Sequence, residues 1–227
     1  MSKFAFSAFS AFVGCLLMAG SALAVPDSEI LVSRIPGSYW GSGGEFTLTP
    51  NADYTLVTGV NGPFQSFCME LSEDLSLNRW YDVTFSPKTS DGHDLTPGVA
   101  YLYTSFNSQT LADYDYNAGA GRVSSAKALQ EVVWYLEGEE TSMTWTSWTG
   151  DDKRRAESFY QTALDVPANA GLGNVTVLSL WDDGFAGVAG HGRQDMLGMA
   201  PVPTPGALVL ACLGTGLVGW LRRSRTI

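Results

Sequence analysis

Cysteine is scarce in this 227-residue chain: three in all, at positions 15, 68 and 212, so that the stretch between residues 16 and 211 holds Cys68 alone. A single thiol there has no partner for an internal disulfide. Histidine is scarcer still, with His93 in SDGHD and His191 in AGHGR, both in loops rich in Gly and Asp and neither inside a catalytic signature. Cations are few as well. Between residues 25 and 200 there are nine Lys and Arg against 23 Asp and Glu, a formal charge of −14. Such a surface repels nucleic acid and anionic lipid, so no nucleic-acid partner is expected. The acidity itself is read as solubility in an extracellular setting.

The two ends are where the apolar residues run together. MSK is followed by an apolar stretch rich in Phe and Ala and then by SALA before Val25, with Ala22 and Ala24 at the small-residue positions of a peptidase site. This reads as a secretory signal peptide over 1–24. The C-terminus divides into a Pro-rich spacer, an apolar run over 206–221 and a basic tail over 222–227. Sixteen residues rise about 24 Å as a helix, a little short of a bilayer core of about 30 Å, so flanking residues help it span. Arg222, Arg223 and Arg225 are expected to stop it on the cytoplasmic side, which leaves the body outside. The ending resembles the PEP-CTERM sorting tail of exported bacterial proteins, with Val202, Pro203, Thr204 and Pro205 at the motif positions over 201–205; Thr204 stands where those tails usually carry Glu. The resemblance implies processing by an exosortase. The expected route is export across the inner membrane, transient anchoring, and release to the cell surface or extracellular matrix. A permanent C-terminal anchor uses the same three parts and is the alternative.

The body, 25–200, has the length of one domain with a proper core. Short β-branched and aromatic runs separated by Gly, Pro, Asn and Asp predict strands at 29–35, 45–50, 53–60, 64–71 and 80–86. Helices are predicted from Thr96, a cap followed by Pro97 in the first turn, and from Ser124 or Ser125 through an apolar stripe of Ala126, Leu129, Val133 and Leu136. A third helix is predicted over 151–164, a further strand over 174–181, and a loop over 184–192. The expected class is α+β: an antiparallel β-sandwich or barrel-like sheet with a helical part, forming a single ectodomain followed by a transmembrane helix.

Two segments carry the chemistry. In FQSFCMEL (64–71), strict alternation would put Cys68 on the face of Ser66 and Glu70, opposite Phe67, Met69 and Leu71, which argues mildly against a purely core cysteine. In ALQEVVWYL (128–136), Gln130 and Trp134 lie one turn apart on a helical face, beside the stripe of Leu129 and Val133. A thiolate held against a glutamine amide can expel ammonia and form an internal thioester, and an aromatic wall would slow its hydrolysis. Phe67-Cys68 and Leu129-Gln130-x-x-Val133-Trp134 resemble the signature of the thioester domains of bacterial surface adhesins. The resemblance implies that Cys68 and Gln130 form the thioester, that Phe67, Leu129, Val133 and Trp134 shape its pocket, and that the partner is an amine-bearing surface or matrix protein or polysaccharide. One event per molecule is binding, not turnover, so no enzyme, cofactor or metal is expected. The alternative is a structural protein of the cell surface or matrix whose thiol is incidental.

Other motifs are weaker. Asp113, Asp115 and Asn117 alternate as calcium-loop ligands do, but Ala118 and Ser124 stand where the turn glycine and bidentate Glu belong, so a polar turn is expected. Trp145 and Trp148 among hydroxyls could make a sugar platform, though packing is the simpler reading.

Overall fold

A computed structural model describes residues 28–41 and 43–199. The signal-peptide, sorting-motif and apolar-tail readings lie outside these residues, and no helix among the described residues is long and apolar enough to cross a membrane.

Six antiparallel strands form one sheet in the order β3-β2-β1-β4-β5-β6. They are β1 (Glu29–Ser33), β2 (Phe46–Pro50), β3 (Phe64–Ser66), β4 (Arg79–Ser86), β5 (Val175–Trp181) and β6 (Gly192–Met199). The described residues also form four helices, α1 (Ala52–Thr58), α2 (Pro97–Asn107), α3 (Ala120–Leu136) and α4 (Gly150–Leu164), and one 3₁₀ turn (Thr144–Ser147). The sheet curls until its two edges meet. Beyond β3 the main chain leaves β2 and bonds to β6 instead, with Leu197 N donating to Phe67 O at 3.1 Å and Met69 N to Asp195 O at 2.8 Å. Cys68 bridges to Met196 within that seam. Closure of this kind removes the exposed edges an open sheet would carry.

Two apolar cores result. One lies among α2, α3 and α4 and takes in Phe67, Met69, Leu129 and Val133. The other is wrapped by the sheet around Ile30, Val32, Leu48, Tyr54, Tyr81 and Leu180, and takes in Cys68 and Trp134. The seam at 67–69 and the middle of α3 therefore sit on the boundary between them.

The sequence expectations hold for β1, β2, β4, β5, α2 and α4 to within a few residues. Thr96 accepts from Val99 N and Pro97 opens α2, as expected from the cap pattern. Four expectations are corrected. The segment 53–60 is helical: the Asn51 side chain caps Tyr54 N at 2.8 Å, and Gly59 at φ 73° closes the helix onto Thr55 O. Tyr54 and Thr58, one turn apart, are its buried face. The helix carrying Gln130 begins at Ala120, and Ser125, instead of capping, lies inside it and donates to Gly121 O. β6 occupies what sequence alone leaves unassigned, because Arg193, Gln194 and Asp195 disguise a strand whose middle is fully buried. Finally, Cys68 is a core residue, 4% exposed, and Ser66, Phe67, Met69 and Glu70 are buried around it. The segment is covered on both faces, so alternation there loses its meaning.

Candidate functional site

The site is built where the seam meets α3. Gln130, fully buried, points its carboxamide at the main chain of Cys68, 62 positions earlier. Nε2 donates to Cys68 O at 2.8 Å, while Oε1 accepts from Cys68 N at 3.0 Å and from Gly44 N at 2.9 Å. Two donors on one side and a carbonyl on the other fix which atom is oxygen and which nitrogen. The glutamine thus pairs with Cys68 as a neighbouring strand would, and its carbonyl oxygen lies in a cradle of two backbone N–H groups.

Glycine makes that approach possible. A Cβ on Gly43 would stand 2.5 Å from Gln130 Cγ and 3.0 Å from Trp134 Cη2, and one on Gly44 would stand 2.1 Å from Phe67 Cδ1. The loop is pinned by Trp40 N donating to Gly44 O at 2.8 Å, and Trp40 leans on Trp134 with ring centroids 6.3 Å apart. Directly after it, buried Glu45 accepts from Arg122 Nε at 2.7 Å and Nη2 at 2.6 Å, and from the Tyr114 hydroxyl at 2.5 Å. The cradle is therefore tied to the first turn of the same helix that carries Gln130.

Cys68 also faces a cleft of about 360 Å³ lined by Arg34, Phe46, Glu73, Asp74 and Gln194. Arg34 is held there by cation–π contact with Phe46 at 4.4 Å and Tyr39 at 5.0 Å, and by donating to Gly41 O at 3.2 Å. Burial pushes the Cys68 thiol well above its ordinary pKa; the Arg34 charge works against that shift and Glu70 adds to it. At neutral pH the thiol is protonated, so any chemistry must move its proton together with its sulfur.

The structure brings Cys68, Gln130 and Trp134 together. Trp134 is 2% exposed, and its indole N–H is buried without a partner. Phe67 meets the cradle at Gly44 while packing edge-on against Phe106 in the helical core, and Leu129 and Val133 lie wholly in that core. Sequence reasoning missed Gly43, Gly44, Trp40, Arg34 and the Glu45–Arg122 pair. The run GSGG at 41–44 is the one signal that could have found the cradle, since paired glycines mark close backbone approach.

The weaker motifs are placed as well. Asp113 bonds Arg154 and the Ser158 hydroxyl, which uses its carboxylate in packing α4. Trp145 is buried against Tyr135 and Tyr160, and Trp148 lies under Lys127, whose Nζ is 3.8 Å from the ring centroid. His191 stacks on Phe185 with ring centroids 3.9 Å apart.

The fold and site define a mixed α/β domain with a curled six-stranded antiparallel sheet, in which a buried glutamine amide pairs with the main chain of a buried cysteine. In comparisons with family models, characterised proteins and solved structures, nothing matches this chain.

Proposed function

We propose that the body is a covalent binding module acting through an internal Cys68–Gln130 thioester, carried on an exported protein sorted by its C-terminal tail. The observation that carries this reading is the seating of the Gln130 carboxamide on the main chain of Cys68, with Oε1 in a cradle of two N–H donors at 2.9 and 3.0 Å. A hydrogen-bonded glutamine on a buried helix face needs one partner or two; this one has its oxygen held where negative charge would develop during acyl transfer. Donors preorganised around such an oxygen are worth roughly 3–4 kcal/mol each in known enzymes.

In the forming step the Cys68 sulfur bonds to Gln130 Cδ and the Cδ–Nε2 bond breaks. The thiol proton leaves with nitrogen as ammonia. In the binding step a primary amine of a surface or matrix protein or polysaccharide bonds to the same carbon, the C–S bond breaks, and the thiol regains a proton from the attacking nitrogen. Arg34, facing Cys68 in the cleft, favours the sulfur's transient negative charge in both steps. Trp134 and Trp40 wall the acyl group from water. Each molecule reacts once, which makes it a binder, not a turnover enzyme. Cell-surface or matrix residence after exosortase processing accords with such a role, and brief anchoring by the apolar tail precedes it.

The purified full chain tests the idea by intact mass and peptide mapping. The expected result is a mass one ammonia below that of the sequence, a gain of one methylamine on treatment, and release of a maleimide-reactive thiol in the Cys68 peptide. Cys68→Ala and Gln130→Ala should each abolish the mass loss. Full sequence mass, with a Cys68 thiol that reacts before any amine is added, would leave a structural surface protein with an incidental thiol.

A further inference from the structure

The turn between β4 and α2 folds back on itself, with Thr89 N donating to His93 O at 2.9 Å and Gly92, at φ 97°, donating to Thr89 O at 3.0 Å. This sets His93 Nδ1 3.4 Å from Asp91 Oδ2. Glu139, just past α3, arrives from the opposite side, its Oε2 accepting from Leu71 N at 3.0 Å. One ligand atom from each of Asp91, His93 and Glu139 lies within 4.8 Å of the other two. Behind them stands Asp195, fully buried on β6: its Oδ2 takes the N–H of Ser90 in this same turn, and its Oδ1 is buried with no hydrogen-bond partner. Glu70 reaches the turn too, accepting from Ser90 Oγ at 3.3 Å.

Little positive charge answers these carboxylates. Lys88 is engaged with Asp94 at 2.7 Å, and Arg193 is engaged by Asp182. We propose that Asp91, His93 and Glu139 form a site for a borderline divalent cation of the zinc class, with Asp195 as the buried carboxylate behind it. One imidazole nitrogen and two carboxylates leave a fourth position for water, and the imidazole disfavours calcium, which takes six to eight oxygens. A cation here joins the turn before α2 to the end of α3, and through Leu71 to the segment that follows Cys68. It would brace both arms of the Cys68–Gln130 site, yet it does not depend on any bond between them.

Isothermal titration of the full chain, freed of any affinity tag, with zinc alone is the test. One equivalent is expected to bind wild type and Cys68→Ala alike, which separates this site from the thioester reading. His93→Ala and Asp91→Asn should each weaken binding about tenfold or more, and His191→Ala should not. Cobalt in place of zinc should show a visible band lost in His93→Ala. Both variants alter exposed side chains, so circular dichroism should show an unchanged fold. Absence of saturable binding, binding that His93→Ala leaves intact, or a preference for calcium over zinc would overturn the proposal.

Discussion

Arg122 grips Glu45 through both arms of its guanidinium, across 77 positions of chain, and by doing so ties the loop that cradles the Gln130 oxygen to the helix that supplies Gln130. Glu45 is fully buried while the Arg122 side chain is 20% exposed, so removing the cation strands a carboxylate away from water. Arg122→Met is expected to destabilise the domain by about 3–5 kcal/mol, and Glu45→Gln with Arg122→Met together by less than the sum. Urea denaturation of the two single variants and the double variant measures this. A double-variant effect equal to the sum of the two single effects would show that the pair is not a unit.

Gly43→Ala should strike the site while leaving most of the fold in place. The new methyl group meets Gln130 Cγ at 2.5 Å, so the carboxamide must shift off Cys68, at a cost on the order of 1–3 kcal/mol. The expected readout is a full-mass protein with a free Cys68 thiol, still folded by circular dichroism. Retention of the ammonia loss in this variant would contradict the role given to the cradle.

Trp134 should matter for lifetime as well as stability. Trp134→Ala leaves a hole in the sheet-wrapped core and is expected to cost about 3–5 kcal/mol, with faster loss of the thioester to water. Trp134→Phe keeps an aromatic wall and removes the unpaired buried N–H, so hydrolysis should stay near the wild-type rate. Timed intact-mass spectra at neutral pH distinguish the two.

Stability should fall as pH rises from mildly acidic to mildly alkaline. Burial, then Asp195, Glu73 and Asp91, push the Glu70 carboxyl to about 8, against the Asp195 N–H that favours its ionised form. Asp195 is also raised, chiefly by burial. A carboxyl whose folded pKa lies above its unfolded value of 4.5 binds more protons folded than unfolded. Its stabilising contribution is therefore complete below about pH 4.5 and is lost as pH climbs through about 8. Melting temperatures taken with a chelator present should drop by several degrees between pH 5 and pH 9, and Glu70→Gln should flatten that slope. An unchanged slope in Glu70→Gln would assign the effect elsewhere.

The tail prediction is independent of the domain. Neutralising Arg222, Arg223 and Arg225 should impair retention and orientation if, as proposed, the tail is a sorting signal whose charges hold its end in the cytoplasm. Surface material from the native host should lack the tail peptide by mass spectrometry; mature protein that still carries it would indicate a permanent anchor.

How much was legible depended on whether a residue's neighbours were near in sequence. The caps at Thr96 and Pro97, the α4 pattern and the central strands follow from local periodicity, and the structure keeps them. The pairing of Cys68 with Gln130 was reachable because each sits in a short stretch with chemistry of its own. The helix at 52–58 was misread because β-branched Thr55, Val57 and Thr58 outweigh, in propensity, a cap made by Asn51 and a stop made by Gly59. β6 was hidden because its polar residues are buried by pairing: Asp195 with Ser90 N, Gln194 with Glu70 O at 2.6 Å. No local rule reveals a burial that depends on a turn a hundred residues away. The same holds for the cradle, whose donors come from Gly44 and Cys68 and converge only after the sheet has curled.

The distance in sequence between Cys68 and Gln130 gives their bond a topological meaning. A thioester between them would make the intervening chain a closed covalent ring, threaded through β4, α2 and the first half of α3. By loop-closure arithmetic a ring of that size restrains the unfolded chain by about 4 kcal/mol. Aminolysis opens the ring at the moment it fastens the partner to Gln130. The molecule would exchange an internal tether for an external one, so tension on the captured partner would be borne by α3 while the sheet seam at Cys68, now held only by hydrogen bonds, became free to part.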